Sequence, residues 1–577
     1  MTATTGASAL SITAEGRLQI LNEAGFLDGS DCVVTARICR QLGEDVGGDA
    51  ALALAFAVRA VRDGSTALSL DSVAALTADL DEEGDVDSEP PTVGGTVALP
   101  EPGAWLDTVR SSALVAAGVL RVDLGLVYLD RYHADERLIA DALRSRRAAA
   151  VRPVDPAAVE EVVREPDLDQ AQKDAVRGVA ERATTVLTGG PGMGKTHTID
   201  RVLRALGAGR GQALRIGLAA PTGKAAARMN EMIEADPTRA SSVSPAVTLH
   251  RLLGSIPGTS QRFRHDARNP LPHDLVIVDE ASMVSLSMMA RLIDALAPDA
   301  RLLLVGDPDQ LASVEAGSVL ADLVRGLESD GSVVRLTQNH RVQGARADLA
   351  AALQVGDPDA VLASVGGDGV RFVETEAPSL DVLPEVVEHA VRLRELAVSG
   401  DVEAALAHLD SRRLLCAHRT GPFGTRHWNQ LIERALAERV PEVALQPMYI
   451  GRPILVTRND YGLGVRNGDA GVIVRTDDGP MAVIQTATGP LRLSPWRLSD
   501  IETMHAMTVH KAQGSQAKNV VVIVPPPRSR LLAREMLYTA VTRAASHLTI
   551  VGSRDAVRGA VQTTARRSSG LAERLIN

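Results

Sequence analysis

Two polar side chains follow a glycine-rich stretch in a way that suggests phosphate chemistry. Lys195 and Thr196 close the octet G-x-x-x-x-G-K-T within TTVLTGGPGMGKTHTID, residues 184–200. Gly189, Gly190, Gly192 and Gly194 let backbone N–H groups turn inward around a phosphate chain, with Pro191 and Met193 completing the loop. Lys195 is placed to bridge the β- and γ-phosphates of ATP, and the Thr196 hydroxyl to hold Mg²⁺. Further on, Asp279 and Glu280 stand together after the apolar run LVIV. Adjacent acids at a strand end are costly unless a cation and a water use them. Asp279 fits the Mg²⁺ partner and Glu280 the base that polarises the attacking water.

Other residues could face the same phosphate. Gln172, in LDQAQKDAV, is placed to read an adenine edge through paired hydrogen bonds. The turn Pro221-Thr222-Gly223-Lys224 offers a hydroxyl, backbone N–H groups and a cation to a phosphodiester. Gln310, in LLLVGDPDQLASV, is a neutral side chain suited to sensing γ-phosphate. LTQNHR supplies Arg341 and LYTAVTRA supplies Arg543. An arginine reaching from a second domain to the first domain's phosphate would stabilise developing charge and close the cleft while ATP is present.

These residues need a scaffold, and the chain of 577 residues is long enough for several domains with their own cores. From about Asp167, short apolar runs (TTVLTGG, RIGLAAPTGKAAARM, DLVIVDEASMV, RLLLVGDPDQL) alternate with helical patterns and end at Gly, Pro or Asp. Buried parallel strands read this way, with function at their carboxyl ends. RLLCAHRTG, KNVVVIVPPP and HLTIVGS predict a second such sheet. Residues 440–500 alternate polar and apolar positions around Asn467-Gly468 and Asp478-Gly479 and predict a small antiparallel barrel inserted in the second domain. Residues 1–160 predict a mainly helical unit, with helices from Ala51 to Gly64, over WLDTVRSSALVAAGVL, and over YLDRYHADERLIADALRSRRAAA. The seven acidic residues between Asp79 and Glu89 read as a solvated linker. The expected domains are thus 1–160, 161–338 and 339–577, with the barrel at 440–500.

The formal net charge of −11 argues against a uniformly basic coat and leaves room for a local basic channel. Cys32, Cys39 and Cys416 lack metal-ligand spacing and read as idle thiols of a reducing cytosol. No apolar run reaches the ~18 residues that span a bilayer, and the N-terminus has no basic start or apolar stretch, so a cytoplasmic protein is expected.

In the motifs GGPGMGKT, APTGKAAARM, TLHRLLG, VDEASMV, GDPDQLASVEAG, LTQNHR, NDYGLGVRNGDAG, HAMTVHKAQGSQ and YTAVTRA, the chain resembles superfamily 1 helicases, and within them the RecD-like helicases. The motifs run in order from about residue 167 to 553. The resemblance implies an α/β fold of two RecA-like P-loop NTPase domains, an SH3-like β-barrel insert, and ATP-driven 5′→3′ translocation on single-stranded DNA. It also implies partners: duplex DNA ends, and RecB-like and RecC-like subunits in a RecBCD-type helicase-nuclease (exodeoxyribonuclease V). No nuclease constellation is present, so that activity would belong to the complex, and the N-terminal unit would dock the RecC-like chain. Gln513 and Gly514 would lie near the γ-phosphate. Gln516 stands where the family usually has Glu.

On the same reading, DNA would meet Thr222, Lys224, Thr248 and His250 in the first domain and Thr508 and His510 in the second, since hydroxyls, imidazoles and backbone N–H groups bind phosphates without reading sequence. Asn459, Tyr461 and Asn467 could touch the strand from the insert, with Tyr461 as a stacking platform. Each lone histidine could instead be a structural, hydrogen-bonded residue. Trp428 and Trp496 read as core. FRHDARNPLPHD, residues 263–274, overlapping an expected hairpin insert near 255–272, reads equally as a strand-separating pin or a surface excursion. A stand-alone helicase and a regulatory ATPase scaffold of a nuclease are the rival functions.

Overall fold

The computed structural model describes residues 14–73, 97–207, 214–234, 243–256, 259, 262–338, 344–460, 462–486, 489–527, 529, 531–565 and 567–576. Arg341, Tyr461 and the acidic run Asp79–Glu89 lie outside the described residues.

The N-terminal unit is built on helices Gly29–Leu42, Asp49–Arg62 and Pro102–Ser111. Phe56 sits edge-on to both Phe26 and Trp105, with ring centroids 5.6 and 5.9 Å apart. The single helix expected from Trp105 to Leu120 is broken. Ser112 is extended and its hydroxyl caps the short helix Ala113–Ala116. The chain then forms a hairpin, β1 (Leu120–Asp123) against β2 (Leu126–Leu129), which the helical reading missed. The next helix, Asp130–Arg147, sends Ile139, Ala140 and Leu143 into the core of the following sheet. The helix Asp130–Arg147 therefore belongs to the core of the first sheet, while the preceding residues keep a core of their own.

That sheet holds six parallel strands: β3 (Thr184–Thr188), β4 (Ile216–Ala220), β5 (Val247–Thr248), β6 (Leu275–Val278), β7 (Arg301–Gly306) and β8 (Val333–Arg335), in the order β5-β4-β6-β7-β3-β8. β3, β4, β6 and β7 are buried at every position, as parallel strands covered on both faces must be. Side chains alternate between faces. Val276 and Val278 pack with helices Leu286–Asp294 and Val319–Leu327, while Leu275 and Ile277 pack with Gln170–Glu181 and Lys195–Gly207. The carboxyl ends of β3, β4, β6 and β7 carry the phosphate loop, Thr222, Asp279 and Asp307, which gathers chemistry from distant sequence onto one edge.

A second parallel sheet, β9 (Val370–Glu374), β10 (Arg412–Cys416), β16 (Ala506–Thr508), β17 (Ala517–Ile523) and β18 (Ala544–Gly552), runs β16-β10-β17-β18-β9. Between β10 and β16 the chain forms an antiparallel sheet of β11 (Pro453–Val456), β12 (Ala470–Thr476), β13 (Gly479–Thr486), β14 (Gly489–Leu493) and β15 (Ile501–Thr503), in the order β14-β13-β12-β11-β15. Gly479, at φ +110°, makes the Asp478-Gly479 turn between β12 and β13. The expected insert began at 440, where the chain still forms the helix Glu442–Leu445. Trp428 is buried, but Trp496 is 68% exposed on the insert, so the core reading fails there; Pro495 and Leu498 are the residues that turn inward.

The C-terminal helix Leu571–Ile576 returns to the first lobe, where Leu571 and Leu575 join the core beside Leu323 and Leu143. Cys32, Cys39 and Cys416 are buried free thiols, and burial pushes Cys32 and Cys39 up to about 11. Among the described residues no helix is long and apolar enough to cross a membrane.

Candidate ATP site and DNA interface

The phosphate loop links β3 to helix Lys195–Gly207. Gly192 and Gly194 sit at φ +83° and +85°, a region that residues with a Cβ rarely adopt. Lys195 Nζ donates to the carbonyls of Gly189 at 2.5 Å and Gly190 at 3.1 Å. The ammonium is thus held at the loop, where phosphate oxygens can compete for it. Thr196 is exposed in the first helical turn, next to the N-terminal N–H groups that favour anions. Pro191 and Met193 complete the loop, and Met193 Sδ accepts from Gly190 N at 3.0 Å. A Cβ on Gly190 would stand 2.9 Å from the Tyr538 hydroxyl, which comes from the second lobe.

Asp279 and Glu280 follow β6. Burial, and then the charge of Glu280, push the Asp279 carboxyl up to about 6, while Glu280 N donates to Asp279 Oδ1 at 2.8 Å. A buried carboxylate pressed by a second acid is a site that a divalent cation stabilises. Glu280 is left-handed at φ +52°, a conformation found at only one other non-glycine among the described residues, Leu124. Such backbone costs on the order of 1–2 kcal/mol and concentrates at functional sites. Asp307, at the end of β7, is fully buried and its carboxyl is pushed up by burial. It accepts hydrogen bonds from Gln310 Nε2 at 2.9 Å and from the Tyr538 hydroxyl at 3.1 Å.

The seam between the lobes is hydrogen-bonded. Arg543, buried after helix Arg534–Val541, donates through Nη2 to Gln310 Oε1 at 2.9 Å and through Nε to the Thr539 carbonyl at 3.1 Å. Leu311 N donates to Thr539 Oγ1 at 2.8 Å, and Gln513 Nε2 donates to the Leu311 carbonyl at 2.7 Å. Tyr538, Asp307, Gln310 and Arg543 thus form one hydrogen-bonded chain, and the charges of Lys195 and Glu280 reach Asp307 and Arg543 in it. Sequence reasoning passed over Asp307, Tyr538 and Thr539. The signal was present: Asp307 sits at a strand end in the same motif as Gln310, and Tyr538 lies five residues before Arg543.

Two expected nucleotide ligands stand differently. Gln172 is buried and its Oε1 accepts from Asp169 N at 3.0 Å, closing a capping box at the start of helix Gln170–Glu181. Gly514, at φ +70°, lies across the seam from the turn after β4, where a Cβ on it would sit 3.8 Å from Thr222 Oγ1.

The expected DNA-facing residues fall into three places. Thr222 accepts from Ala225 N at 3.2 Å and so caps helix Gly223–Glu234, with Lys224 exposed beside it. The insert reaches this turn, because a Cβ on Gly223 would meet Arg466 Cδ at 2.8 Å. Asn459 Oδ1 accepts from Asn467 N at 2.9 Å and pins the loop that carries Arg466. Thr248 precedes the helical turn Leu249–Leu252, and His250 is exposed with its ring 6.0 Å from Phe263. Phe263 belongs to a hairpin-like excursion bridged at Ser255 and Phe263, with Arg262, Arg264 and Arg268 exposed. In the second lobe Thr508 is buried and accepts from Lys511 N at 3.3 Å. His510 is half-buried, and burial and Arg567 hold its imidazole below the usual range.

A family model described as AAA domain matches residues 172–316, and one described as UvrD-like helicase C-terminal domain matches residues 503–551. A Mycobacterium tuberculosis protein named RecBCD enzyme subunit RecD is 46% identical over 589 residues, covering 98% of this chain and 97% of the relative. The chain belongs to the RecD family. A Mycolicibacterium smegmatis RecD is also 46% identical, over 96% of this chain and 98% of its own length. The ATP-dependent RecD2 DNA helicase of Deinococcus radiodurans is 31% identical over 80% of this chain and 60% of the relative. The two family models cover the phosphate loop through Gly306–Ala316 and the stretch from Thr503 through Arg543, so both sides of the RecD seam lie within them.

Proposed function

We propose that this RecD-family chain is an ATP-driven translocase that moves 5′→3′ on single-stranded DNA and unwinds duplex DNA from its ends. In this reading the parallel sheets are two RecA-like lobes that pinch ATP between them, and β11–β15 form an SH3-like insert that helps grip the strand. The observation that carries it is the continuous hydrogen-bonded seam Tyr538–Asp307–Gln310–Arg543, in which a second-lobe arginine feels the charges of Glu280 and Asp307 at the strand ends beside the phosphate loop. Lys195 and the loop N–H groups would bind the β- and γ-phosphates. Glu280 would take the proton of the attacking water, and Arg543 would stabilise charge developing on the γ-phosphoryl group. Thr196 and Asp279 would hold Mg²⁺, which when bound neutralises charge between the phosphates. Arg341 and Tyr461 keep their proposed roles, as finger and stacking platform, on sequence grounds.

When γ-phosphate leaves, Gln310 and Arg543 lose a shared partner and the lobes can separate. Thr222, Lys224, Thr248 and His250 on one lobe, with Thr508 and His510 on the other, would then shift against each other along the strand. In this reading Gly514 beside Thr222 relays between the two tracks.

The near-complete two-way coverage of the mycobacterial relatives favours a subunit of a RecBCD-type complex, with RecB-like and RecC-like partners in the cytoplasm, over a stand-alone helicase. The test is co-expression with RecB-like and RecC-like chains followed by unwinding of a blunt duplex. Unwinding that requires ATP and fails in Lys195→Ala supports the proposal. Unwinding at the normal rate by a complex carrying Lys195→Ala would leave the chain a scaffold.

A further inference from the structure

The segment between β18 and the C-terminus crosses all three parts of the molecule. Helix Arg554–Gln562 belongs to the second lobe, and Val557, Ala560 and Val561 lie in its core. Helix Leu571–Ile576 is packed into the first lobe. Between them, Ser568 O accepts from Thr66 N at 3.0 Å and Ala67 N at 3.1 Å, both in the N-terminal unit. Fully buried Glu136 anchors the far end, accepting from Thr66 Oγ1 at 2.6 Å, Ser569 Oγ at 2.9 Å and Arg574 Nε at 3.3 Å.

Arg567 sits where this strap meets the seam. Its Nη1 donates to three carbonyls of one first-lobe strip: Ser313 at 2.7 Å, Glu315 at 3.2 Å and Gly317 at 3.2 Å. That strip begins at Leu311, which Gln513 and Thr539 hold from the second lobe, one residue after Gln310. Its far end is tied to the N-terminal unit, since Gly317 N donates to Gly64 O at 2.9 Å. Gly64 lies against the guanidinium, where a Cβ would stand 2.8 Å from Arg567 Cζ. Gln513 from the second lobe and Arg567 from the strap thus hold opposite ends of residues 311–317.

We infer that Arg567 is a positioning residue that couples DNA occupancy and the N-terminal unit to ATP turnover, by fixing the strip Leu311–Gly317 and through it Gln310. This rests on the proposed DNA-driven hydrolysis. Arg567 touches no reacting atom, so the phosphate loop is complete without it. Losing it frees the strip at one end, and Gln310 no longer follows movements of the strap.

The test is steady-state ATP hydrolysis by the full chain, in complex with its partner subunits if these are needed for solubility, with and without saturating oligo-dT. Arg567→Ala should leave DNA-independent turnover and the KM for ATP within about twofold. DNA-stimulated kcat should fall at least about fivefold, within the range that coupling residues give. Arg567→Lys should recover at least half of the loss, because one ammonium can also serve carbonyls that now share one nitrogen. A thermal melt checks folding of each variant. Full stimulation in Arg567→Ala, or an equal fall with and without DNA, would overturn the inference. A wild-type protein without DNA stimulation would instead count against the proposed function.

Discussion

Removing the guanidinium of Arg543 separates two roles that the seam assigns to it. In the structure it makes one charge-assisted bond across the lobes, to Gln310 Oε1 at 2.9 Å. Losing such a bond costs about 1.5–3 kcal/mol, which bounds a purely structural effect at roughly 10- to 150-fold. A guanidinium acting on a phosphoryl transition state contributes about 10³–10⁵ in kcat, or roughly 4–7 kcal/mol. The two ranges do not overlap. Arg543→Ala should therefore lower single-turnover hydrolysis in the presence of oligo-dT by about 10³-fold or more, while binding of a fluorescent ATP analogue weakens by less than about 150-fold. Arg543→Lys should not recover the rate, since an ammonium cannot reproduce the fork that spans Gln310 Oε1 and the Thr539 carbonyl. A fall of less than about 150-fold in Arg543→Ala would reduce Arg543 to a strut between the lobes and refute the transition-state role.

Gly190→Ala should disturb the seam from the other side, because its Cβ would lie 2.9 Å from the Tyr538 hydroxyl; crowding of this kind costs about 1–3 kcal/mol, read as a lowered urea midpoint, and an unchanged midpoint would mean that the lobes do not meet there. Acid should destabilise the second lobe through His389 and His505, which burial holds down at about 3. Below pH 6.5 the unfolded chain binds protons that these folded imidazoles refuse, so stability present at neutral pH is lost as pH falls from 6.5 toward 3, by up to about 1.4 kcal/mol per pH unit for each group; a urea midpoint equal at pH 7 and pH 5 would contradict this. Binding to oligo-dT should weaken with salt at a log–log slope of about −0.7 per phosphate contacted, and a flat response would remove the proposed DNA track.

The strand ends were legible because parallel strands buried on both faces leave continuous apolar runs, and a carboxylate or glycine ending such a run stands out. Asp279 and the phosphate loop were therefore found from local pattern alone. Asp307 was hidden by its neighbour: Gln310 drew the functional reading, while the carboxylate it covers meets the second lobe through Tyr538, 231 residues away. The β1–β2 hairpin was missed because Ser112 breaks an apolar run whose composition suits a helix. Trp496 was read inward because tryptophan usually is, yet it lies on a turn whose inward positions are taken by Pro495 and Leu498. The strap at Arg567 left no periodic trace. Its role rests on carbonyls more than two hundred residues away, and sequence pattern does not encode such distances.

In the proposed function, closing the seam on ATP moves a strand in one direction. The direct measurement is displacement of streptavidin from biotinylated single-stranded DNA, with the biotin at either end. A 5′→3′ motor should give rapid ATP-dependent displacement from the 3′ end, almost none from the 5′ end, and none from either with Lys195→Ala. Displacement from the 5′ end, or displacement that survives Lys195→Ala, would contradict it.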